Sequence, residues 1–290
     1  MSTYATAKDE FVDIDGIKFA YRRLGLAEGV PLVLIMHYRG TMDHWDPALI
    51  DPLAAKRPVI LIDPANSGRS KGHFPSTVAQ LAQYFINIIN ALGLKQVDVM
   101  GFSGGGFNAQ MIALNAPKLV SHLILSATTP SIGEGVQLGN PAVLQKLQQA
   151  VTVKEHKGAF ISTFFTSSAQ GQAAGHAAWE RITTGRQNRS DYASRESADE
   201  QSAAYFNFID LNKASDGSYD RFHELQMPVL IATGKGSDDA IIPTKNSILM
   251  WEKMSHPNAA LHIFPDAGHG FLYQYADAYA ALINDFLDRQ

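Results

Sequence analysis

The stretch VDVMGFSGGG, residues 97–106, decides the fold. Its first four residues are typical of a short buried strand. The residues after it, 107–116, carry the apolar stripe of a helix at Phe107, Met111 and Leu114. A residue at the apex of so sharp a bend is strained, and neighbours without side chains relieve the crowding around it. The stretch therefore predicts a strand, a tight turn and a helix, with Ser103 at the bend.

Glycines stand two residues before and two residues after Ser103, which is the Gly-x-Ser-x-Gly pattern of a nucleophile elbow. An elbow lifts the serine hydroxyl above the edge of a sheet, where the N–H groups of the following helix also point. The backbone N–H of Gly104 is then a candidate donor to an oxyanion. The five-residue pattern is common by itself, but the strand before it and the helix after it favour the elbow over an ordinary glycine turn.

A serine nucleophile needs a base, and in this arrangement an acid and then a histidine follow the serine along the chain. The chain has ten histidines. We select His269, because it lies in the glycine-framed loop 266–270 directly after the predicted strand 261–264. A short loop there can hold an imidazole over the end of the sheet. Asp266 is too close in sequence to orient that ring and is interpreted as a turn cap.

The acid should follow the predicted strand 229–232, where the run 233–243 offers two carboxylates. We choose Asp239, because it lies four residues before Pro243, which opens the next helix, and we keep Asp238 as the alternative. An acid after the preceding strand is excluded, because residues 126–133 contain no carboxylate. The predicted triad is therefore Ser103, Asp239 and His269.

Short branched apolar runs alternate with segments of helical period, such as 76–92, which predicts a parallel sheet covered on both faces. The opening is different, because apolar residues alternate around Asp15-Gly16, a hairpin signal. An antiparallel ribbon should therefore lead into the sheet. The predicted strands after the hairpin are 32–36, 59–62, 97–100, 123–125, 229–232 and 261–264.

This rhythm breaks between residues 129 and 225, which lack a continuous branched apolar run and carry scattered aromatic residues. We predict a helical lid here, inserted into a core made of residues 1–128 and 226–290. Most of the aromatic side chains should pack inside the lid, and the others should line a pocket. They are Phe160, Phe164, Phe165, Trp179, Tyr192, Tyr205, Phe206 and Phe208.

The composition excludes several classes of protein. A chain of 290 residues with 46% hydrophobic content can form a large core, and its net charge of −4 argues against nucleic acid as a partner. The absence of cysteine fits a reducing compartment. The start lacks the features of a secretory signal, and no apolar run approaches the roughly 18 to 20 residues of a membrane helix. We therefore expect a cytoplasmic protein without a membrane partner, and a homodimer remains open.

Four further stretches strengthen the interpretation. Together with the elbow, they resemble the α/β-hydrolase superfamily, and within it the branch of esterases, lactonases and cofactor-free haloperoxidases. The resemblance spans nearly the whole chain and implies an eight-stranded, mostly parallel sheet with a helical lid after the sixth strand. It also implies that neither a cofactor nor a metal is needed. The stretches are MHYRGT (36–41), DHWDP (43–47), DPANSGRS (63–70) and FPDAGHGF (264–271).

One departure from this branch concerns the oxyanion hole. The branch has His-Gly followed by a bulky residue whose N–H completes the hole, whereas here Tyr38 follows His37 directly. If the glycine is deleted, Tyr38 is the donor, and if the loop aligns without a gap, Arg39 is. We favour Tyr38 together with Gly104. The Arg39 side chain has two candidate roles, a salt bridge that holds the loop and a clamp on the substrate. We favour the salt bridge.

The expected function is hydrolysis of a carboxylic ester or lactone of a fairly apolar small molecule through an acyl-enzyme intermediate. The same residues could serve a perhydrolase, a cofactor-free haloperoxidase or a carbon–carbon bond hydrolase. A comparison of the products formed with and without hydrogen peroxide and bromide distinguishes hydrolysis from the perhydrolase and haloperoxidase activities. A ligand-binding receptor that keeps the pocket without catalysis is the alternative of another class.

Overall fold

A computed structural model describes residues 1–235, 239–254 and 257–289. In this part of the chain, eight strands form one sheet in the order β1-β2-β4-β3-β5-β6-β7-β8. The strands are β1 (Glu10–Ile14), β2 (Ile17–Gly25), β3 (Leu32–Ile35), β4 (Pro58–Ile62), β5 (Val97–Phe102), β6 (Val120–Ser126), β7 (Val229–Gly234) and β8 (Ala259–Phe264).

The first two strands form the predicted hairpin. β1 pairs antiparallel with β2, and β2 pairs antiparallel with β4, whereas β3 to β8 run parallel to one another. Asp15 and Gly16, the two residues of the turn, have φ values of 53° and 81°. Two positive φ values in succession match the twist of an antiparallel pair, which is why the Asp-Gly signal is informative. The eight-stranded, mostly parallel sheet expected from the sequence is confirmed.

Helices cover the sheet. Every residue of β3, β5 and β7 is buried, as expected for parallel strands covered on both faces. Helix α1 packs against α10, and α2 packs against α3. The helices are α1 (Pro47–Ala54), α2 (Val78–Ala91), α3 (Gly104–Asn115), α4 (Pro141–Gln149), α5 (Val153–Phe164), α6 (Ala169–Thr184), α7 (Arg195–Phe208), α8 (Thr244–Glu252), α9 (Phe271–Gln274) and α10 (Ala276–Leu287).

The chain between β6 and β7 is helical. It contains α4 to α7 and two 3-10 helices, Leu211–Asp216 and Tyr219–Glu224. We call residues 129–225 the inserted segment, and its function as a lid remains a prediction. Arg181, on α6, donates to both oxygens of the buried Asp46 carboxylate, which also caps α1. This ion pair connects the inserted segment to the sheet-bearing core.

None of the helices in the described ranges combines the length and apolar character needed to cross a membrane. The loops that follow β5, β7 and β8 begin at the same edge of the sheet, because these strands are parallel. Ser103, Asp239 and His269 lie on these three loops. The topology therefore brings the predicted triad to one edge.

Candidate active site

Ser103 occupies the predicted bend in a strained conformation. Its φ of 55° and ψ of −122° lie in a region that residues with side chains rarely adopt. The Ser103 N–H donates to the Ser126 carbonyl at 2.9 Å, and the Thr128 hydroxyl donates to the Ser103 carbonyl at 2.8 Å. These bonds to the end of β6 and the residues after it hold the backbone in place.

The flanking glycines are required by close backbone approach. A Cβ on Gly101 would lie 2.4 Å from the Gly105 carbonyl oxygen, and a Cβ on Gly105 would lie 2.1 Å from the carbonyl oxygen of Ile35 on β3. The predicted helix start at Phe107 is wrong, because α3 begins at Gly104, immediately after the bend. The three successive glycines pack closely against other segments of the protein, and this packing overrides their low helix propensity.

The predicted acid and base are hydrogen-bonded. His269 Nδ1 lies 3.2 Å from Asp239 Oδ2, and both side chains are buried. The N–H groups of Ile241 and Ile242 donate to Asp239 Oδ1 at 3.0 and 2.9 Å. Both oxygens of the carboxylate are therefore held. The alternative acid, Asp238, lies outside the described residues.

The serine and the base share one cavity without a direct hydrogen bond. Ser103 and His269 both line the cavity. Within the described chain, no hydrogen bond joins the Ser103 hydroxyl to His269, and the buried Nε2 atom of His269 has no partner. A serine–histidine bond is often long in an unliganded hydrolase and shortens when substrate binds.

The hydrogen bonds of the backbone N–H groups distinguish Tyr38 from Arg39 as the candidate oxyanion donor. The Arg39 N–H already donates to the Gln201 side-chain oxygen at 2.7 Å. The Tyr38 N–H has no acceptor among the described residues. Gly104 is the first residue of α3, so its N–H has no partner within the helix. Tyr38 and Gly104 are therefore the pair whose N–H groups are available to an oxyanion.

The prediction of a salt bridge for Arg39 is wrong, because its guanidinium pairs with no carboxylate among the described residues. Its guanidinium donates to backbone carbonyls, including Ala150 at 2.8 Å and Ala193 at 2.8 Å. Burial lowers the pKa of Arg39. Since Ala150 and Ala193 belong to the inserted segment, Arg39 joins the loop after β3 to that segment.

His37 has no role predicted from the sequence, although it precedes Tyr38 directly. Its ring lies 5.2 Å from that of Phe164 and lines the cavity. Its Nδ1 lies 2.8 Å from the Tyr38 carbonyl, to which it donates. Burial lowers the pKa of His37 to about 3 against the opposing effect of this bond, and the nearby His269 contributes to the decrease. His37 is therefore neutral at ordinary pH.

The cavity is mainly apolar. Its empty space, including open solvent at its mouth, is about 1120 Å³. No carboxylate or lysine is found among its described lining residues, and its single guanidinium, that of Arg39, is bonded to carbonyls. The side chains from the inserted segment include Leu138, Leu144, Leu147, Ala159, Phe160, Phe164, Tyr192, Tyr205, Phe206 and Ile209.

Five of the eight aromatic residues singled out in the inserted segment line this cavity, which is more than expected. They are Phe160, Phe164, Tyr192, Tyr205 and Phe206. Phe164 also contacts His269, with ring centroids 5.0 Å apart, and its carbonyl accepts a hydrogen bond from the Gly270 N–H. The spacing of aromatic residues along a helix does not reveal which face meets the sheet edge.

One group of side chains away from the triad has the composition of a metal site. Ligand atoms of His73, Glu196 and Glu200 lie within 4.8 Å of one another. However, Glu200 accepts hydrogen bonds from the Asn66 side chain at 2.7 Å and the Phe74 N–H at 2.9 Å. These bonds explain the position of Glu200 without an ion.

Comparison with known proteins gives a family match. The sequence profile of the family described as alpha/beta hydrolase fold matches residues 30–274. A solved structure of an alpha/beta hydrolase fold protein from Chitinophaga pinensis superimposes with a TM-score of 0.89 at 29% identity, with all of both chains covered.

Two curated relatives have named activities. A poly(3-hydroxyalkanoate) depolymerase of Ectopseudomonas oleovorans is 28% identical over 245 residues, which cover 83% of this chain and 78% of that protein. A 2-hydroxy-6-oxononadienedioate/2-hydroxy-6-oxononatrienedioate hydrolase of Pseudomonas sp is 26% identical over 72% of this chain and 69% of that protein. The chain spans only 36% to 65% of the length of several other curated relatives.

Proposed function

The chain belongs to the α/β-hydrolase fold family, and from this premise we propose that it is a serine hydrolase acting on neutral carboxylic esters or lactones of small apolar molecules. The observation that carries the proposal is the buried bond between Asp239 and His269. The Nε2 atom of His269 has no partner among the described residues, and His269 lines the same cavity as Ser103. The proposed triad is Ser103, Asp239 and His269.

In the first half of the reaction, His269 Nε2 takes the proton of the Ser103 hydroxyl as Oγ bonds to the carbonyl carbon. The N–H groups of Tyr38 and Gly104 stabilise the oxyanion. Loss of one such donor raises the activation barrier by on the order of 3 kcal/mol. The ester C–O bond then breaks, and the proton passes from His269 to the leaving alcohol. Asp239 stabilises the imidazolium during these steps.

In the second half, water gives a proton to His269 and its oxygen to the acyl carbon. The bond between Ser103 and the acyl group breaks, the proton returns to the serine, and the acid leaves. In this scheme the chain supplies the nucleophile, the base and the oxyanion donors, and the second reactant is water.

The cavity supports a neutral substrate. A carboxylate placed among its apolar side chains would lose its hydration, and the described lining offers no unengaged cation to compensate. The aromatic and aliphatic lining favours an apolar acyl or alcohol group. The named polyester depolymerase among the relatives supports ester chemistry at this site.

Pre-steady-state hydrolysis of a p-nitrophenyl ester tests the proposal. We expect a burst of p-nitrophenol close to one equivalent of protein, as an acyl-enzyme accumulates. The Ser103→Ala variant, which keeps the cavity, should show neither burst nor turnover. Equal turnover by both proteins would contradict the proposal.

Carbon–carbon bond hydrolysis is the second candidate, supported by the relative named for a dienedioate substrate. That substrate carries two carboxylates, for which the described cavity lining has no free cation. Turnover of the dienedioate faster than of a neutral ester would favour this candidate. We expect the reverse order.

A further inference from the structure

The loop that carries the oxyanion donor is bonded to the inserted segment. The phenol of Tyr38 donates to the Ala198 carbonyl at 3.1 Å and lies 2.9 Å from the Ser202 hydroxyl. The Arg39 N–H donates to the Gln201 side chain at 2.7 Å. These three partners belong to α7. The position of Tyr38 therefore depends on contacts from outside the sheet.

The Arg39 side chain extends this connection to a second place. Its Nη1 atom donates to the carbonyls of Leu147, Gln148 and Ala150 at 2.9, 3.1 and 2.8 Å. Its Nε and Nη2 atoms donate to the Ala193 carbonyl at 3.1 and 2.8 Å. Every nitrogen of the guanidinium thus contacts the inserted segment.

This cation is buried without a carboxylate partner in the described residues, since Arg39 is only 4% exposed and forms no salt bridge there. Burial of an unpaired charge is unfavourable unless dipoles replace the lost hydration. The last carbonyls of a helix carry a partial negative charge. Helix α4 ends at Gln149, and the acceptors of Arg39 are Leu147 and Gln148 in its last turn and Ala150 directly after it. The carbonyls at the end of α4 and at residue 193 therefore replace the hydration that the buried Arg39 guanidinium has lost.

We propose that Arg39 is a positioning residue, which holds the adjacent Tyr38 N–H in line with the Gly104 N–H by binding the inserted segment. The inference rests on the proposed hydrolase function. A clamp on the substrate does not fit, because each guanidinium nitrogen already donates to a carbonyl. Docking of the inserted segment and assembly of the oxyanion hole are thus one event.

The test compares Arg39→Met and Arg39→Lys with the wild type. For Arg39→Met we expect kcat for a p-nitrophenyl ester to fall about 10- to 100-fold, somewhat less than deletion of a donor, with KM within about threefold. A trifluoromethyl ketone, whose adduct with Ser103 mimics the tetrahedral oxyanion, should lose affinity by the same factor. Arg39→Lys, which keeps the charge and some donors, should lie between.

Arg181→Met is the matched control. It removes another arginine that joins the inserted segment to the core, but one that bonds to Asp46, the N-cap of α1, and to the Tyr273 carbonyl, and neither bond involves residues 37–39. We expect a lower thermal unfolding midpoint with kcat within about twofold of the wild type. Tyr38→Phe is a second variant, which retains the backbone N–H of residue 38 and the guanidinium but loses the phenol's bonds to Ala198 and Ser202 of α7. It should lower kcat severalfold at unchanged KM.

Folded Arg39 variants that keep both kcat and ketone affinity within about twofold of the wild type would overturn the inference. If Arg39→Met fails to fold, an unchanged kcat and ketone affinity in a folded Arg39→Lys variant would overturn it. A wild-type protein that forms no ketone adduct would instead show that the proposed hydrolase function is wrong.

Discussion

His269 Nδ1 and Asp239 Oδ2 lie 3.2 Å apart, and neither side chain is more than 1% exposed. Because an ionised carboxylate only accepts hydrogen bonds, this contact places the ring proton on Nδ1 and leaves the Nε2 lone pair free to take a proton. The second carboxylate oxygen is fixed by the N–H groups of Ile241 and Ile242. The pair is therefore oriented before any substrate arrives.

Replacement of Asp239 tests this orientation. Asp239→Asn keeps the size of the side chain but removes its charge and favours the wrong ring tautomer, so we expect kcat for an ester to fall about 10³- to 10⁴-fold. Asp238→Asn and Asp266→Asn are the matched controls, and each should keep kcat within a few-fold. A larger loss in Asp238→Asn than in Asp239→Asn would assign the acid to Asp238.

The crowding at the elbow predicts a stability effect. Gly105→Ala would bring Cβ to 2.1 Å from the Ile35 carbonyl oxygen, so we expect a loss of about 3 kcal/mol or more in the free energy of unfolding. Gly158→Ala is the control, because this exposed helical glycine has no atom within 4 Å of the added Cβ. It should stabilise the protein by about 0.5 to 1 kcal/mol. Urea denaturation measures both, and similar values for the two variants would contradict the packing described.

The neutral state of His37 predicts a pH effect. Its pKa is about 3 in the folded protein, whereas the ordinary pKa of a histidine is 6.5, so the unfolded chain binds an additional proton between these values. The stability from this group is complete above pH 6.5 and is lost as the pH falls toward 3, at up to about 1.4 kcal/mol per pH unit. His37→Gln should lower the slope of unfolding free energy against pH in this window. An unchanged slope would argue against a buried, neutral His37.

The lining of the cavity predicts discrimination by charge. We expect kcat/KM for p-nitrophenyl butyrate to exceed that for the p-nitrophenyl hemiester of succinic acid at least about 10-fold, because a buried carboxylate would be unpaired. Leu138→Arg adds a cation at an exposed lining residue and should narrow the difference. Equal values for the two esters in the wild type would indicate that the acyl group stays in water.

The fold was predictable where local signals agree with the tertiary structure. The Asp15-Gly16 turn and the branched apolar runs predict the hairpin and the strand positions, because turn chemistry and burial act through neighbouring residues. The start of α3 was missed, since three glycines form a helix there only through packing against β3 and residue 128.

The site was predictable in part. Asp239 and His269 followed from their places after strands, and the structure brings them into contact. The partners of Arg39 could not be predicted, because they are backbone carbonyls more than 100 residues away. Every residue has a backbone carbonyl, so the residue type does not identify the acceptor. The packing of Phe164 on His269 could not be predicted either, because the spacing of aromatic residues does not show which helix face meets the sheet edge.

Labelling by a fluorophosphonate, followed by intact mass measurement and peptide mapping, tests the central claim most directly. An activated serine should form one covalent adduct, on Ser103, at a rate that falls strongly in His269→Gln and to zero in Ser103→Ala. A folded wild-type protein that forms no adduct on Ser103, or that reacts as fast when His269 is replaced, would contradict the proposed mechanism.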